Sequence, residues 1–251
     1  MNQQPKGICR MAVVPMRNTA SHTSPMISQL LFGEHYEVIN EEGDWVQIEL
    51  AFDHSQGWIC KNQHSPITEE YYKQINLSDY KVCMDLSGSI FFQKKNVNIV
   101  LGSVLPITTN ELFKLEEQIA FNGSAKSLSQ RRDFDFMRDE IKKFEHAPYV
   151  MGGKTPFGID EAGFIQQLFK LCGYKLPRTI LAQSKAGKKV ESLSKILAGD
   201  LVYVLTEQPQ GYIYLGKEVF IGVSNGEVRR INHSFNETDP IAIRRILQEN
   251  M

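Results

Sequence analysis

The first region of the chain, residues 1–67, is predicted to be a small all-β domain. Polar and apolar residues alternate in Trp45–Leu50, and a shorter apolar run covers Ile8–Val14. Turn residues such as those in Asn40–Gly43 separate these runs. An alternation with a period of two places one face of each strand in a core. Closely spaced turns between such strands are typical of small β-barrels.

The second region, residues 68–128, continues this β pattern. Its strand-like runs are Tyr80–Met84, Ser89–Phe92, Asn96–Leu101 and Phe113–Leu115. Gly88, Gly102 and Gly123 fall between or after these runs, where turns are expected. The pattern therefore predicts a second small β domain.

The third region, residues 129–251, changes to a helical period. Met137, Ile141 and Phe144 recur at helical spacing, and a second helix is predicted to begin after Asp160 and to end at Gly173. The apolar face of this second helix is formed by Phe164, Ile165, Leu168, Phe169 and Cys172.

Strands follow these helices towards the end of the chain. They are predicted at Leu201–Leu205, Tyr212–Leu215, Val219–Val223 and Glu227–Ile231. Asn225 and Gly226 form the two-residue turn that joins the last two strands as a hairpin. Helices followed by antiparallel strands predict an α+β domain.

Composition excludes several classes of protein. The 28 Lys and Arg residues against 29 Asp and Glu residues give a net charge of −1, which argues against a nucleic-acid-binding protein. The sequence contains no run of 18 apolar residues, so no membrane span is predicted. The first residues lack the pattern of a signal peptide, and the four cysteines lack metal-ligand spacing. We therefore expect a cytoplasmic protein with reduced thiols and neither metal nor cofactor.

Two parts of the sequence resemble known families. The string APYVMGGKTPFGIDEAGFIQQLFKLCGYKLPR, followed by GDLVYV, GYIYLG and FIGVSNGEVRRI, resembles the catalytic domain of NlpC-type peptidases. These are papain-like hydrolases of peptidoglycan stem peptides. The string VVPMRNTASHTSPMISQLLFGEHYEVINEEGDWVQIEL resembles a bacterial SH3-type barrel. The resemblance implies two small all-β SH3-like barrels, 1–67 and 68–128, followed by an α+β papain-like domain, 129–251.

The order of these domains resembles the subgroup of peptidases that cleaves after γ-D-glutamate in L-Ala-γ-D-Glu-diaminopimelate fragments. In this family a cysteine nucleophile follows an aspartate, a histidine opens the strand that reads His-Val-Gly-Ile-Tyr-Leu-Gly, and a third polar residue orients that histidine. The corresponding positions here are Glu161, Gln210 and Gly222. Cys172 lies at the far end of the predicted helix and cannot replace the thiol. The resemblance therefore implies a catalytically inactive homologue.

The resemblance also implies which residues bind a ligand. Asp160 corresponds to the aspartate that holds the free amino group of the peptide, and Tyr149 to a tyrosine beside the nucleophile. With Glu161 and Ala162 they form the predicted ligand-binding set. The expected partner is a peptidoglycan stem peptide or another protein.

Three alternatives remain open at the level of the sequence. Glu161 could act as a general acid or base in hydrolysis by a mechanism foreign to the family. Asp160 and Glu161 together resemble half of a metal site, although no further ligand stands nearby in the sequence. The third alternative is an interaction scaffold in which the barrels bind protein and the cleft has no role.

Overall fold

The computed structural model divides the chain into two compact units, Met1–Gln130 and Arg131–Met251. The residues that it describes are 4–92, 94–105, 120–232, 234–235 and 239–247. No helix among these residues has the length and apolarity that crossing a membrane requires.

The first unit begins with a seven-stranded antiparallel sheet. Its strands are β1 (Lys6–Ile8), β2 (Val13–Arg17), β3 (Met26–Leu31), β4 (His35–Glu42), β5 (Trp45–Leu50), β6 (Gln56–Cys60) and β7 (Pro66–Ile67). They are ordered β3-β2-β6-β5-β4-β1-β7. Val14, Tyr36, Ile48 and Ile59 are buried together on the inner face. The predicted all-β character of residues 1–67 is confirmed.

A helix, α1 (Glu69–Leu77), follows this sheet, ahead of the first predicted strand of the second β region. Thr68 caps it by accepting a hydrogen bond from the Tyr71 amide, and Glu69 lies in its first turn. Tyr72 and Ile75, three residues apart, form its buried face. The prediction of 68–128 as a β domain names no helix, and the structure adds this one ahead of the first predicted strand.

The rest of the first unit contains two three-stranded sheets among the described residues. The strands are β8 (Lys81–Cys83), β9 (Ser87–Phe92), β10 (Lys95–Val100), β11 (Val104–Leu105), β12 (Ala120–Asn122) and β13 (Ala125–Ser127). Their orders are β10-β9-β12 and β11-β8-β13, which do not establish a second barrel. The predicted strand Phe113–Leu115 lies outside the described residues.

The two predicted β regions share a core. Phe32, from the first region, packs in one cluster with Cys83, Ile90 and Ile99 of the second. The Val104 amide also donates to the Phe32 carbonyl at 2.7 Å. Residues 1–67 and 68–128 therefore belong to the same compact unit.

The second unit combines helices with a six-stranded sheet. Its helices are α2 (Phe134–Ile141), α3 (Glu161–Leu171) and α4 (Ile180–Gln183). Its strands are β14 (Lys154–Thr155), β15 (Gly158–Ile159), β16 (Lys188–Lys189), β17 (Leu201–Val204), β18 (Gln210–Gly216), β19 (Val219–Ser224), β20 (Glu227–Asn232) and β21 (Ile241–Arg245). The large sheet is ordered β16-β21-β17-β18-β19-β20. The predicted α+β arrangement is confirmed.

Helix α3 is the centre of this unit. It packs against α2 and against strands β18 and β19, and Phe144 meets Phe164 edge to face with ring centroids 5.7 Å apart. Gly173 follows the helix with a φ of 85°, as predicted for a helix-ending glycine. All residues from Ala162 to Leu171 are buried, whereas the start of the helix, which carries the predicted site, is only partly covered.

Candidate functional site

Asp160 caps the start of helix α3. Its Oδ1 atom accepts a hydrogen bond from the Gly163 amide at 2.6 Å, and its Oδ2 atom accepts one from the Gly152 amide at 2.9 Å. An aspartate at this position satisfies amides that the helix leaves without partners. Asp160 therefore joins the glycine-rich loop to the first turn of the helix.

Arg178 forms a two-pronged ion pair with the same carboxylate. Its Nη1 donates to Oδ1 of Asp160 at 2.9 Å and its Nη2 donates to Oδ2 at 2.7 Å. The side chain of Arg178 is only 6% exposed and that of Asp160 15%. A fork-to-fork arrangement of this kind is strong and directional. Each oxygen of Asp160 thus has two donors within the protein, and contact of Asp160 with a ligand amine stays a prediction.

Close backbone contact holds the glycine-rich loop against helix α3. A Cβ atom on Gly163 would press into the carbonyl oxygen of Gly153. Ala162, next to it, is 6% exposed, and its carbonyl accepts from the Gln183 side chain at 3.0 Å. The methyl group of Ala162 has little accessible surface, so its predicted contact with a ligand also stays a prediction.

Glu161 is the first residue of helix α3 and is half-buried. Within the described ranges, no other residue donates a hydrogen bond to its carboxylate. Burial, reinforced by the nearby charge of Asp160, raises the pKa of Glu161, while its own amide and Arg178 act in the opposite direction. Glu161 is therefore a carboxylate without a dedicated cationic partner, at the position that the resemblance assigns to the nucleophile.

Tyr149 lies in the loop that precedes β14 and is 42% exposed. Its amide donates to the carbonyl of Gly226 at 2.7 Å, which ties the loop to the turn between β19 and β20. Burial raises the pKa of the Tyr149 phenol, and the carboxylates of Glu161 and Asp160 raise it further. The phenol of Tyr149 therefore lies within electrostatic range of Glu161, and its contact with a ligand stays a prediction.

Strands β18 and β19 carry the other two predicted positions. Gln210 opens β18 and is exposed, and its Oε1 accepts a hydrogen bond from the hydroxyl of Tyr212 at 2.8 Å. Gly222 lies in β19 directly opposite Tyr212. Burial raises the pKa of Tyr212, and the Glu161 carboxylate raises it further, which places Tyr212 near the start of α3. Gln210, Tyr212 and Glu161 thus belong to one neighbourhood.

The chemistry available in this neighbourhood is that of a carboxylate, two phenols and an amide. Cys172 is the C-cap of α3 and is fully buried, so the prediction that it lies at the far end of the helix is confirmed. In the described part of the chain, no three His, Cys, Asp or Glu side chains are grouped so as to hold a metal ion. The groups present favour recognition of a cation through charge and aromatic faces.

Two residues of the site, Arg178 and Tyr212, do not follow from the sequence reasoning. Arg178 is 18 residues from Asp160, and no local pattern joins them. Tyr212 could have been found from the sequence, because it stands at the third position of the family strand His-Val-Gly-Ile-Tyr-Leu-Gly, where the family has glycine. A large side chain in place of a glycine is a signal of altered packing at that point.

Two known families match parts of the chain. The NlpC/P60 family matches residues 146–244, and the bacterial dipeptidyl-peptidase Sh3 domain matches residues 16–63. A Bacillus subtilis protein named gamma-D-glutamyl-L-lysine dipeptidyl-peptidase is 30% identical over 206 residues, which are 74% of this chain and 67% of the relative. The chain belongs to the NlpC/P60 family.

Two further proteins that are similar to this chain come from Bacillus cereus. A Bacillus cereus gamma-D-glutamyl-L-lysine dipeptidyl-peptidase is 22% identical over 77% of this chain and 64% of its own length, so the chain spans about two thirds of these two relatives. The crystal structure of a Bacillus cereus NlpC/P60 family protein superimposes with a TM-score of 0.81 at 17% identity, covering 97% of this chain and all of the other. At that identity the similarity shows the fold alone.

Proposed function

We propose that this protein is an NlpC/P60 homologue that binds an amine-bearing peptidoglycan stem peptide without cleaving it. The observation that carries the proposal is Glu161, a half-buried carboxylate at the nucleophile position of the family. A carboxylate is a poor nucleophile towards an amide, and neither Gln210 nor Gly222 can supply an imidazole base. Relatives named as dipeptidyl-peptidases of γ-D-glutamyl-L-lysine suggest the class of peptide.

An ammonium group matches the electrostatics of this site. The carboxylate of Glu161 supplies a negative charge, and the phenols of Tyr149 and Tyr212 lie within range of it. Aromatic faces and a carboxylate together attract a cation more strongly when both are partly removed from water. Asp160 contributes less to this attraction, because Arg178 already neutralises it.

The test uses the intact chain with L-Ala-γ-D-Glu-diaminopimelate, and with the same peptide acetylated at its amines. We expect the free peptide to raise the melting temperature at millimolar concentration, because a ligand of the folded state stabilises it. The acetylated peptide and the variant Glu161→Gln should show little or no shift. Glu70→Gln, which removes an exposed carboxylate from the first turn of α1, is the matched control and should keep the shift.

The same samples are assayed for release of the L-Ala-γ-D-Glu dipeptide. The proposal expects none from the unaltered protein. Binding that persists in Glu161→Gln would contradict the role of Glu161 as the anion. If neither a shift nor a product appears, peptide binding is refuted and interaction with a protein partner is the function left to pursue.

A second candidate function is hydrolysis in which Glu161 acts as a general acid or base. The observation in its favour is the raised pKa of Glu161, since burial brings a carboxyl group closer to the range where it exchanges protons near neutral pH. Dipeptide release by the unaltered protein that disappears in Glu161→Gln would establish this function and reject the first.

A further inference from the structure

Tyr212 and Gly222 are directly opposite each other on neighbouring antiparallel strands. The register of β18 and β19 pairs Tyr212 with Gly222 and Tyr214 with Phe220. Residues opposite each other in an antiparallel pair project to the same face of the sheet, and their Cβ atoms lie about 4.5–5.5 Å apart. Any side chain at residue 222 would therefore meet the side chain at residue 212.

The ring of Tyr212 fills the space that a side chain at residue 222 needs. A Cβ atom built on Gly222 would lie 2.6 Å from Cδ1 of Tyr212 and 3.1 Å from its Cε1. It would also lie 2.8 Å from the carbonyl oxygen of Gly211. Tyr212 is 6% exposed and packs near Phe235, with ring centroids 6.0 Å apart, so its ring has little freedom to withdraw.

The family that the sequence resembles differs from this chain at residues 212 and 222. Where it reads glycine, this chain has Tyr212, and where the family has its third polar residue, this chain has Gly222. We propose that these two changes are one coupled exchange, in which the ring of Tyr212 occupies the space of the missing side chain. The functional meaning of the exchange rests on the proposed absence of hydrolysis, whereas the exchange itself is tested by stability.

Tyr212 also acts as a positioning residue for Gln210. The Tyr212 hydroxyl donates to Oε1 of Gln210, which fixes the side of the amide that faces the phenol. Among the described residues, Nε2 of Gln210 makes no hydrogen bond.

The first experiment is a double-mutant cycle on the intact chain. Gly222→Ala should lower the melting temperature by roughly 5 °C or more, because the added methyl group meets a packed ring and a backbone carbonyl. In the Tyr212→Ala background the same change should cost about half as much or less. Tyr212→Phe keeps the ring and loses the hydroxyl, so it should relieve nothing.

Tyr214→Ala is the matched control for this cycle. Tyr214 is on the same strand and face as Tyr212, but it pairs with Phe220, so its truncation should leave the effect of Gly222→Ala unchanged. If Tyr212→Ala does not fold, Tyr212→Val serves instead, because it removes the same ring carbons and suits a strand. Equal effects of Gly222→Ala in all backgrounds would overturn the proposal.

The second experiment asks whether the exchange blocks the family chemistry. One variant combines Glu161→Cys, Gln210→His and Gly222→His, and a second adds Tyr212→Gly to these three changes. Both variants also carry Cys60→Ser, because Cys60 is the one native cysteine that is not fully buried and could itself be alkylated. The pH dependence of alkylation measures the ionisation of the introduced thiol. In the variant that retains Tyr212, we expect the alkylation rate to reach half its maximum near about pH 8.5, as for a free thiol. In the variant with Tyr212→Gly, we expect this midpoint to lie at least about one pH unit lower.

Identical midpoints in the two combinations would contradict the coupled exchange. Failure of the peptide-binding test would leave both experiments of this section unaffected, since neither of them uses the peptide. The two proposals can therefore fail separately.

Discussion

The two sides of the candidate site differ in how firmly their polar groups are held. The helix side consists of Gly152, Asp160, Gly163 and Arg178, and the strand side of Gln210, Tyr212 and Gly222. On the helix side, both oxygens of Asp160 are bonded to an amide and to a guanidinium. On the strand side, one hydrogen bond joins a phenol to an exposed amide.

This difference shows which parts of the site the fold depends on. The helix side holds the loop, the helix start and Arg178 together, so a substitution there disturbs backbone as well as side chains. The strand side can exchange residue types provided that the total volume across the strand pair is kept. Under the proposed function, the chain has kept Asp160 at the start of the helix, whereas Glu161, Gln210 and Gly222 stand at the altered positions.

The largest effect is expected from Arg178→Ala. This change leaves the Asp160 carboxylate largely buried without its counter-charge, and we expect the free energy of unfolding to fall by about 3–5 kcal/mol. Urea unfolding of the intact chain measures it. Lys189→Ala breaks the Lys189–Glu191 pair, in which both side chains are 64% exposed, and should cost far less. Similar losses in the two variants would remove the contrast between a buried and an exposed ion pair.

Gly163→Ala should have the next largest effect. Its Cβ atom would meet the Gly153 carbonyl, which is backbone and cannot rotate away, so we expect a loss of about 2–3 kcal/mol. Gly226→Ala is the control, because nothing lies within 4 Å of its Cβ position and the cost is only that of a φ of 83°, about 1 kcal/mol. A smaller loss for Gly163→Ala than for Gly226→Ala would show that the helix side is less tightly packed than the distances indicate.

The smallest effect is expected from Glu161→Gln, and it depends on pH. Because the pKa of Glu161 is raised in the folded protein, the stability contributed by its protonated form is present below about pH 4.3 and is lost as the pH rises through the folded pKa. The glutamine variant does not ionise. Its melting temperature should therefore equal that of the unaltered protein near pH 4 and exceed it slightly near pH 7.

Thermal melts at a series of pH values measure this difference. A glutamine variant that is less stable near pH 7 would mean that the ionised carboxylate is stabilised where it stands. Such a result would mean that the Glu161 carboxylate is held as firmly as that of Asp160, which would contradict the contrast drawn between the groups of this site.

Local signals explain which parts of the fold were predictable. Helix α3, its end at Gly173 and the Asn225–Gly226 turn each depend on a few adjacent residues, and Asn225 and Gly226 have the positive φ angles, 53° and 83°, that the turn requires. Helix α1 was missed because its cap at Thr68 is followed by two tyrosines, which favour strands.

The site was predictable only in part for the same reason. The positions of Tyr149, Asp160 and Glu161 follow from one continuous motif. The pairing of Asp160 with Arg178 and that of Tyr212 with Gly222 depend on how separate segments fold back on each other. The first requires the path of the loop after α3, and the second requires the exact register of β18 on β19.

The hydrogen bond from the Tyr149 amide to the Gly226 carbonyl has a consequence for motion. The bond crosses from the loop before β14 to the tip of the β19–β20 hairpin. The proton on this amide can exchange with solvent only when that bond opens. The Val150 amide still donates to the Ile159 carbonyl, and the Ile159 amide to the Pro148 carbonyl, when this bond opens. Hydrogen exchange at Tyr149 therefore reports on the hairpin tip, while the neighbouring backbone stays bonded to β15.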